Sequence, residues 1–250
     1  MRTFGLIGYP LEHSFSARYF AQKFNQMGIV DAQYLNFPLE NIELFPSLFD
    51  RGYNLCGLNV TIPYKQAIIP YLHELSDIAK AIGAVNTIKI STKPNGQKLL
   101  TGFNTDEYGF RLSLMEYLKP WHSRALILGT GGAAKAIEFV LKNAGIEYLH
   151  VSRSPKQERQ ISYDSLTHDL FNEYLLIINT TPVGMYPHVD EAPPIPYDFI
   201  TDRHLLYDLI YNPEHTKFLI EGAKRGATTV NGSKMLILQA EKAWEIWNNL

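Results

Sequence analysis

Apolar and polar positions along the chain fall into short blocks whose period switches between strand-like and helix-like. RTFGLIG, residues 2–8, is a compact apolar run that predicts a strand, and the loop YPLEHSFS leads from it to ARYFAQKFNQMG. In that second run the apolar residues return every three or four positions, as on a helix with one buried face, and Gly28 stands where such a helix stops. AQYLNFP predicts a second strand, residues 40–50 a helix, CGLNVTI a third strand, and KQAIIPYLHELSDIAKAIG a helix broken near Pro70. AVNTIKI and KLLTGFN read as the arms of a hairpin, with Asn95-Gly96 in KPNGQ supplying the turn. The first hundred residues therefore predict a mixed α/β unit.

The pattern is helical from Tyr108 to about Trp121, and its character then changes. RALILG, YLHVSRS, YLLIINTT and HLLYDLIY are nearly continuous apolar runs, as expected of strands covered on both faces. TGGAAKAIEFVLKNAG, between the first two, is a helix opened by glycines and closed by Gly145. Strands separated by crossover helices imply a parallel sheet with right-handed connections. HVDEAPPIPYD reads as an exposed loop, and KMLILQAEKAWEIWNNL as an amphipathic helix. No internal repeat or low-complexity tract interrupts the order.

Composition narrows the chemistry. With 23 Lys+Arg against 25 Asp+Glu in 250 residues, the formal charge is −2, and no bulk positive field exists to attract nucleic acid. Cys56 is the single cysteine, so no disulfide within the chain is expected, nor is a Cys–His metal site. No apolar run approaches the roughly 18 residues of a membrane span. The N-terminal residues lack the basic and long apolar regions of a secretion signal, which makes the cytoplasm the expected location.

The most specific local pattern is LILGTGGAAKA, which sets Gly129, Gly131 and Ala134 in the G-x-G-x-x-G/A spacing between a predicted strand and a predicted helix. In a dinucleotide site the first glycine makes the turn, the second lets the backbone approach a pyrophosphate, and the third small residue packs helix on strand. The same glycines could serve only a tight strand-to-helix turn. The end of the next strand argues for a ligand: it carries Ser152, Arg153 and Ser154, where an NAD site would carry an acid. A guanidinium fork there suits a 2′-phosphate, which makes NADP the expected cofactor.

In the front half, polar groups gather at the predicted strand ends. HSFS offers Ser14 and Ser16, NVTIPYK offers Asn59, Thr61 and Lys65, GAVNT offers Asn86, and GFNTDEYG offers Asp106. Ligands of open α/β sheets sit at the carboxyl ends of strands. The Asn104, Thr105 and Asp106 run alone could equally be helix-cap chemistry, and a lone lysine is usually a solvated charge.

Taken together, GYPLEHSFS, NVTIPYK, GAVNTI, GFNTD, GTGGAAKA, NTTPVGM, DLIYNPEHT and MLILQA resemble the shikimate dehydrogenase family, in that family's order and over nearly the whole chain. The resemblance implies an α/β fold in two parts. Residues 1–106 and 236–250 would form an open α/β substrate domain completed by the returning C-terminal helix, and residues 107–235 an NADP-binding, Rossmann-like parallel-sheet domain. It implies reversible reduction of 3-dehydroshikimate to shikimate by NADPH, with Lys65 and Asp106 as the catalytic pair. Ser14, Ser16, Thr61, Asn86 and Gln239 would contact the substrate, with Tyr211 near its carboxylate. Gly129, Gly131, Gly132 and Ala133 would hold the phosphates, Arg153 and Ser154 the 2′-phosphate, and Met185 and Gly232 the nicotinamide. The implied partners are small molecules, on a monomer or homodimer.

The sequence departs from the family pattern at Ala17, Phe20 and Ala21, where proline and then histidine-asparagine are usual. Thr130, Ser152 and Gln157 differ in the cofactor half, and Ser233 and Lys234 replace small residues beside the nicotinamide. Two other readings are compatible with the same residues: a quinate dehydrogenase using NAD or NADP, and a non-catalytic sensor on the same scaffold. The sensor would be expected to have lost Lys65 or Asp106, and both are present.

Overall fold

The computed structural model describes residues 1–11 and 15–249 and divides the chain into two compact units. One comprises Met1–Thr105 together with the chain from Ala240 onward, the other Asp106–Gln239.

The first unit holds strands β1 (Arg2–Gly8), β2 (Ala32–Pro38), β3 (Leu55–Val60), β4 (Glu74–Leu75), β5 (Thr87–Thr92) and β6 (Lys98–Phe103), with helices α1 (Phe15–Gln26) and α2 (Asp77–Ile82). The strands form one mixed sheet in the order β2-β1-β3-β5-β6-β4. β1 runs parallel to β2 and β3, whereas β5 runs antiparallel to both β3 and β6. That reversal is the hairpin expected at Asn95-Gly96, where Gly96 takes φ +83° and Lys93 N donates to Gln97 O at 2.9 Å. One face of the sheet packs on α1 through Phe20 and Phe24, one helical turn apart; the core around Leu39, Leu48, Leu58 and Ile88 is separate.

Two expected helices in this unit are replaced. Residues 40–50 form two short 3₁₀ turns, Ile42–Leu44 and Pro46–Asp50, because Pro46 has no N–H to continue a helical ladder. Of KQAIIPYLHELSDIAKAIG, only Asp77–Ile82 is helical; Ile69–Tyr71 is a 3₁₀ turn and Glu74–Leu75 an edge strand. Pro70 again removes a donor, and the following backbone pairs with β6 instead: His73 N donates to Leu100 O and Ser76 N to Gly102 O.

The second unit holds α3 (Asp106–Met115), β7 (Arg124–Leu128), α4 (Gly132–Asn143), β8 (Glu147–Val151), β9 (Gln160–Ile161), α5 (His168–Glu173), β10 (Leu176–Asn179), β11 (Leu205–Asp208), α6 (Lys217–Ala223) and β12 (Thr228–Val230). Helix α7 (Ser233–Asn248) starts in this unit and ends in the first. The sheet order is β12-β11-β10-β7-β8-β9 and every pairing is parallel. Alternate residues serve opposite cores: Ala125, Ile127, Leu176, Ile178, Leu205 and Tyr207 on one face, Leu126, Leu128, Ile177 and Leu206 on the other. Burial on both faces is why these strands read as unbroken apolar runs. Helix α3 stops at Met115, six residues short of the expected end.

Candidate active site

In the first unit the segments carrying Thr61, Lys65 and Asn86 are brought together past the carboxyl end of β3 and at the amino end of β5. Thr61 directly follows β3, and its N–H donates to Ile7 O of β1 at 2.9 Å. The approach is close: a Cβ on Gly8 would lie 2.4 Å from the Thr61 methyl group, so only glycine fits there. Val60 N donates to Asn86 O at 2.8 Å, Val85 N to Lys65 O at 2.7 Å, and Asn86 N to Phe103 O at 3.1 Å. Main-chain bonds therefore join the segments carrying Thr61, Lys65 and Asn86. Ser16 lies in the first turn of α1, and Ser14 lies outside the described residues.

Beneath them runs a buried polar network that sequence reading missed. Tyr34 Oη donates to Asn59 Oδ1 at 2.8 Å, and Asn59 Nδ2 donates to Asn86 O at 3.3 Å and to Thr87 Oγ1 at 3.2 Å. Asn86 Oδ1 accepts from Thr105 N at 2.7 Å, and Asn86 Nδ2 donates to Thr105 Oγ1 at 3.0 Å. Burial holds the Tyr34 phenol far above the ordinary tyrosine range, with Ser16 acting against it. Such a network fixes the rotamer of Asn86 before any ligand arrives. Tyr34 gives no signal because it sits in an ordinary strand pattern, and NVTIPYK offers Asn59 without showing what it bonds.

The Asn-Thr-Asp run now separates into roles. Asn104 Nδ2 donates to Ala84 O at 3.0 Å and Thr105 bonds Asn86, so both side chains brace the first unit's loops. Asp106 opens α3, where the helix dipole favours an acid.

In the second unit, β7 passes through Gly129 into α4. Gly129 takes φ +106°, and a Cβ there would lie 2.8 Å from Thr180 Oγ1. Gly131 is the N-cap of α4, and nothing lies within 4 Å of where its Cβ would be. The space beside Gly131 at the helix N-terminus is thus open, as a pyrophosphate approaching there requires, while Ala134 is buried in the core with Ala125 and Ile127. Arg153 and Ser154 follow β8 and are exposed; among the described residues no acid pairs with Arg153. An open amide cradle and a guanidinium without an acidic partner fit a phosphorylated dinucleotide.

Of the remaining candidates of this unit, Met185, Tyr211 and Gly232 follow β10, β11 and β12, and Gln239 lies in α7. Tyr186 N donates to Asn212 O at 3.2 Å, which ties the Met185 segment to that of Tyr211. Gly232 N donates to Ile210 O at 3.0 Å, and a Cβ on Gly232 would lie 2.1 Å from Leu209 O. The glycine is required by this backbone approach. Gln239 is buried and turns its amide to Leu236 O at 2.9 Å. Lys234 forms an ion pair with Glu116 of the α3 end, and Ser233 N donates to Asn231 Oδ1. Among the described residues no group of three His, Cys, Asp or Glu could hold a metal ion, and no helix is long and apolar enough to cross a membrane.

Residues 6–88 match the model of the shikimate dehydrogenase substrate-binding domain. The NADP(+) shikimate dehydrogenase of Methanosphaera stadtmanae is 38% identical over 97% of this chain and 90% of its own length. A crystal structure of shikimate dehydrogenase in complex with NADP+ superposes with TM-score 0.85 at 32% identity, covering 100% of this chain and 91% of the other. The Thermus thermophilus enzyme in complex with NADP(H) and shikimate gives TM-score 0.84 at 30% identity, covering 100% and 94%. With full-length identity at this level and an α/β fold whose second sheet is Rossmann-like, the chain belongs to the shikimate dehydrogenase family.

Proposed function

We propose that this protein catalyses the reversible, NADPH-dependent reduction of 3-dehydroshikimate to shikimate. The observation that carries the reading is a coincidence on one chain: NVTIPYK leaves the carboxyl end of β3, and a glycine turn is followed by β8 with Arg153, and no acid, just past its end. NADPH, when bound, supplies the hydride. Gly129, Gly131, Gly132 and Ala133 would offer backbone to its pyrophosphate, Arg153 and Ser154 would hold its 2′-phosphate, and Met185 and Gly232 would flank its nicotinamide.

The substrate's hydroxyls need partners once stripped of water, which suits Ser14, Ser16, Thr61, Asn86 and Gln239, with Tyr211 at the carboxylate. Hydride addition builds negative charge on the carbonyl oxygen. The Lys65 ammonium would stabilise that charge and deliver the proton, and Asp106 would tune it.

Lys65→Met keeps most of the side-chain volume without the charge, and it should lower turnover by roughly 10² or more with a smaller change in substrate binding. Asp106→Asn should also reduce turnover, and the double variant should lose much less than the product of the two losses. Near-wild-type turnover in folded Lys65→Met would overturn the mechanism. Faster wild-type oxidation of quinate with NAD than of shikimate with NADP would overturn the substrate and cofactor assignment.

A further inference from the structure

The second unit buries a carboxylate that the reduction does not use. Asp208 ends β11 and is fully inaccessible, as are its register partner Asn179 on β10 and Thr216, the N-cap of α6. Asp208 Oδ1 accepts from Asn179 Nδ2 at 3.0 Å and from Ile210 N at 3.0 Å; Oδ2 accepts from Thr216 Oγ1 at 2.6 Å. Asn179 extends the chain of bonds. Its Oδ1 accepts from Thr181 N at 3.0 Å and Thr181 Oγ1 at 2.7 Å, and its Nδ2 also donates to Val183 O at 3.4 Å. Thr180 Oγ1 donates to Leu128 O at 2.7 Å, just before the glycine turn. One buried node thus fastens the segment after β10, which carries Met185, and the segment after β11, which carries Tyr211.

We propose that Asp208 is a positioning residue for the nicotinamide end of the cofactor site, holding the Met185 and Tyr211 segments in register through Asn179 and Thr216. The proposal rests on the reading that Met185 flanks the nicotinamide and that Tyr211 lies near the substrate carboxylate beside it. Every partner of the carboxylate is a donor, so the ionised form fits the node and a proton on it would face N–H and O–H groups. A half-satisfied buried network is costly, and small displacements of a positioning loop are expensive in rate.

The node is also sensitive to protons. Burial pushes the Asp208 carboxyl up to about 6, against the opposing bonds from Thr216, Ile210 and Asn179. Its bonded partners Asn179 on β10 and Thr216 at the α6 cap are uncharged, and Lys217, the next residue of α6, donates its ammonium to Asp190 O at 3.1 Å. Tyr197 feels the Asp208 charge, and Glu221, Tyr163 and Arg225 act in turn on Tyr197. Protonation near that pH would loosen the segments and lower turnover.

The test compares Asp208→Asn, Thr216→Val and Thr216→Ser with wild type, measuring shikimate turnover with NADP across pH and the binding of adenosine 2′,5′-bisphosphate, which probes only the Arg153 end. Asp208→Asn is expected to lower kcat by about 10-fold or more, leave the adenosine bisphosphate affinity unchanged, and abolish the acid limb near pH 6. Thr216→Val should reproduce part of the loss and Thr216→Ser should restore it. A wild-type kcat with an unchanged acid limb in Asp208→Asn would overturn the proposal. So would a parallel loss of turnover and adenosine bisphosphate binding, the mark of a merely structural role. Should Asp208→Asn fail to fold, the Thr216 pair reads the same node: equal losses in Val and Ser variants would overturn it. A wild type that does not oxidise shikimate with NADP would remove the underlying reading and the proposal with it.

Discussion

Arg153 stands exposed at the end of β8 with no acidic partner among the described residues, so its guanidinium is available to a phosphate. Arg153→Ala should raise the Michaelis constant for NADP by about 10- to 100-fold, the scale of one or two charge-assisted bonds, and leave weak NAD turnover unaffected. Equal effects on both cofactors, in steady-state assays, would remove Arg153 from the 2′-phosphate. That an arginine without an acid follows this strand is legible because both features are visible in the letters; its hold on a 2′-phosphate is what this variant tests. Equally legible are Gly129 and Gly131, whose spacing carries a geometric requirement. Tyr34, Asn59, Thr87 and Asp208 carried no such mark. Their role arises from strands adjacent in space and distant in sequence, such as Asn179 beside Asp208, and a buried polar side chain resembles an exposed one until the fold places it.

Helix α7 fills the first unit's core with Ala240, Ala243, Trp244 and Trp247. Trp247 stacks on Phe4 with ring centroids 4.9 Å apart, and its Nε1 donates to Ile88 O at 3.0 Å. Its ring occupies the space over Gly57, where an added Cβ would lie 2.3 Å from the indole. Gly57→Ala should therefore overpack this contact and cost about 1–3 kcal/mol, and Trp247→Ala should cost about 3–5 kcal/mol; both are read from denaturant midpoints. An unchanged midpoint in Gly57→Ala would show that the helix can shift at no cost. Elements with one clear period, such as β7, β10 and α7, were legible in the sequence. The stretch around Pro70 was not, since its apolar spacing mimicked a helix while the missing N–H and the pairing of His73 with Leu100 drew it into turns and an edge strand.

At the scale of the molecule, two kinds of buried group pull stability in opposite directions with pH. His122 and His204 have their pKa lowered, chiefly by burial. His204 Nδ1 accepts from Thr201 N and Nε2 faces Phe171 O, an arrangement that suits the neutral ring. Below about pH 6.5 the unfolded chain takes up protons that these native rings refuse, so they make stability fall on acidification. Asp208 behaves inversely. Between its ordinary value of 3.8 and about 6 the native state holds a proton that the unfolded chain has released, so its contribution falls as pH rises through about 6. The two partly offset each other. Asp208→Asn should make the thermal midpoint decline more steeply from about pH 6.5 to about pH 5 than in wild type. Parallel curves by calorimetry would show that Asp208 does not titrate in that range.

The division of α7 between the units has a consequence for biosynthesis. A ribosome delivers Phe4, Phe20 and Tyr34 early, yet the residues that cover them, Ala240 to Trp247, emerge only after the whole of Asp106–Gln239. At ordinary translation speeds that interval is on the order of 10 s. Meanwhile the nascent first unit presents a row of uncovered aromatic rings, and the second unit, made later, has all its own strands and can close first. Residues made long before Asp106 thus wait for Ala240 to Trp247 to cover them, which exposes the half-synthesised chain to holding chaperones.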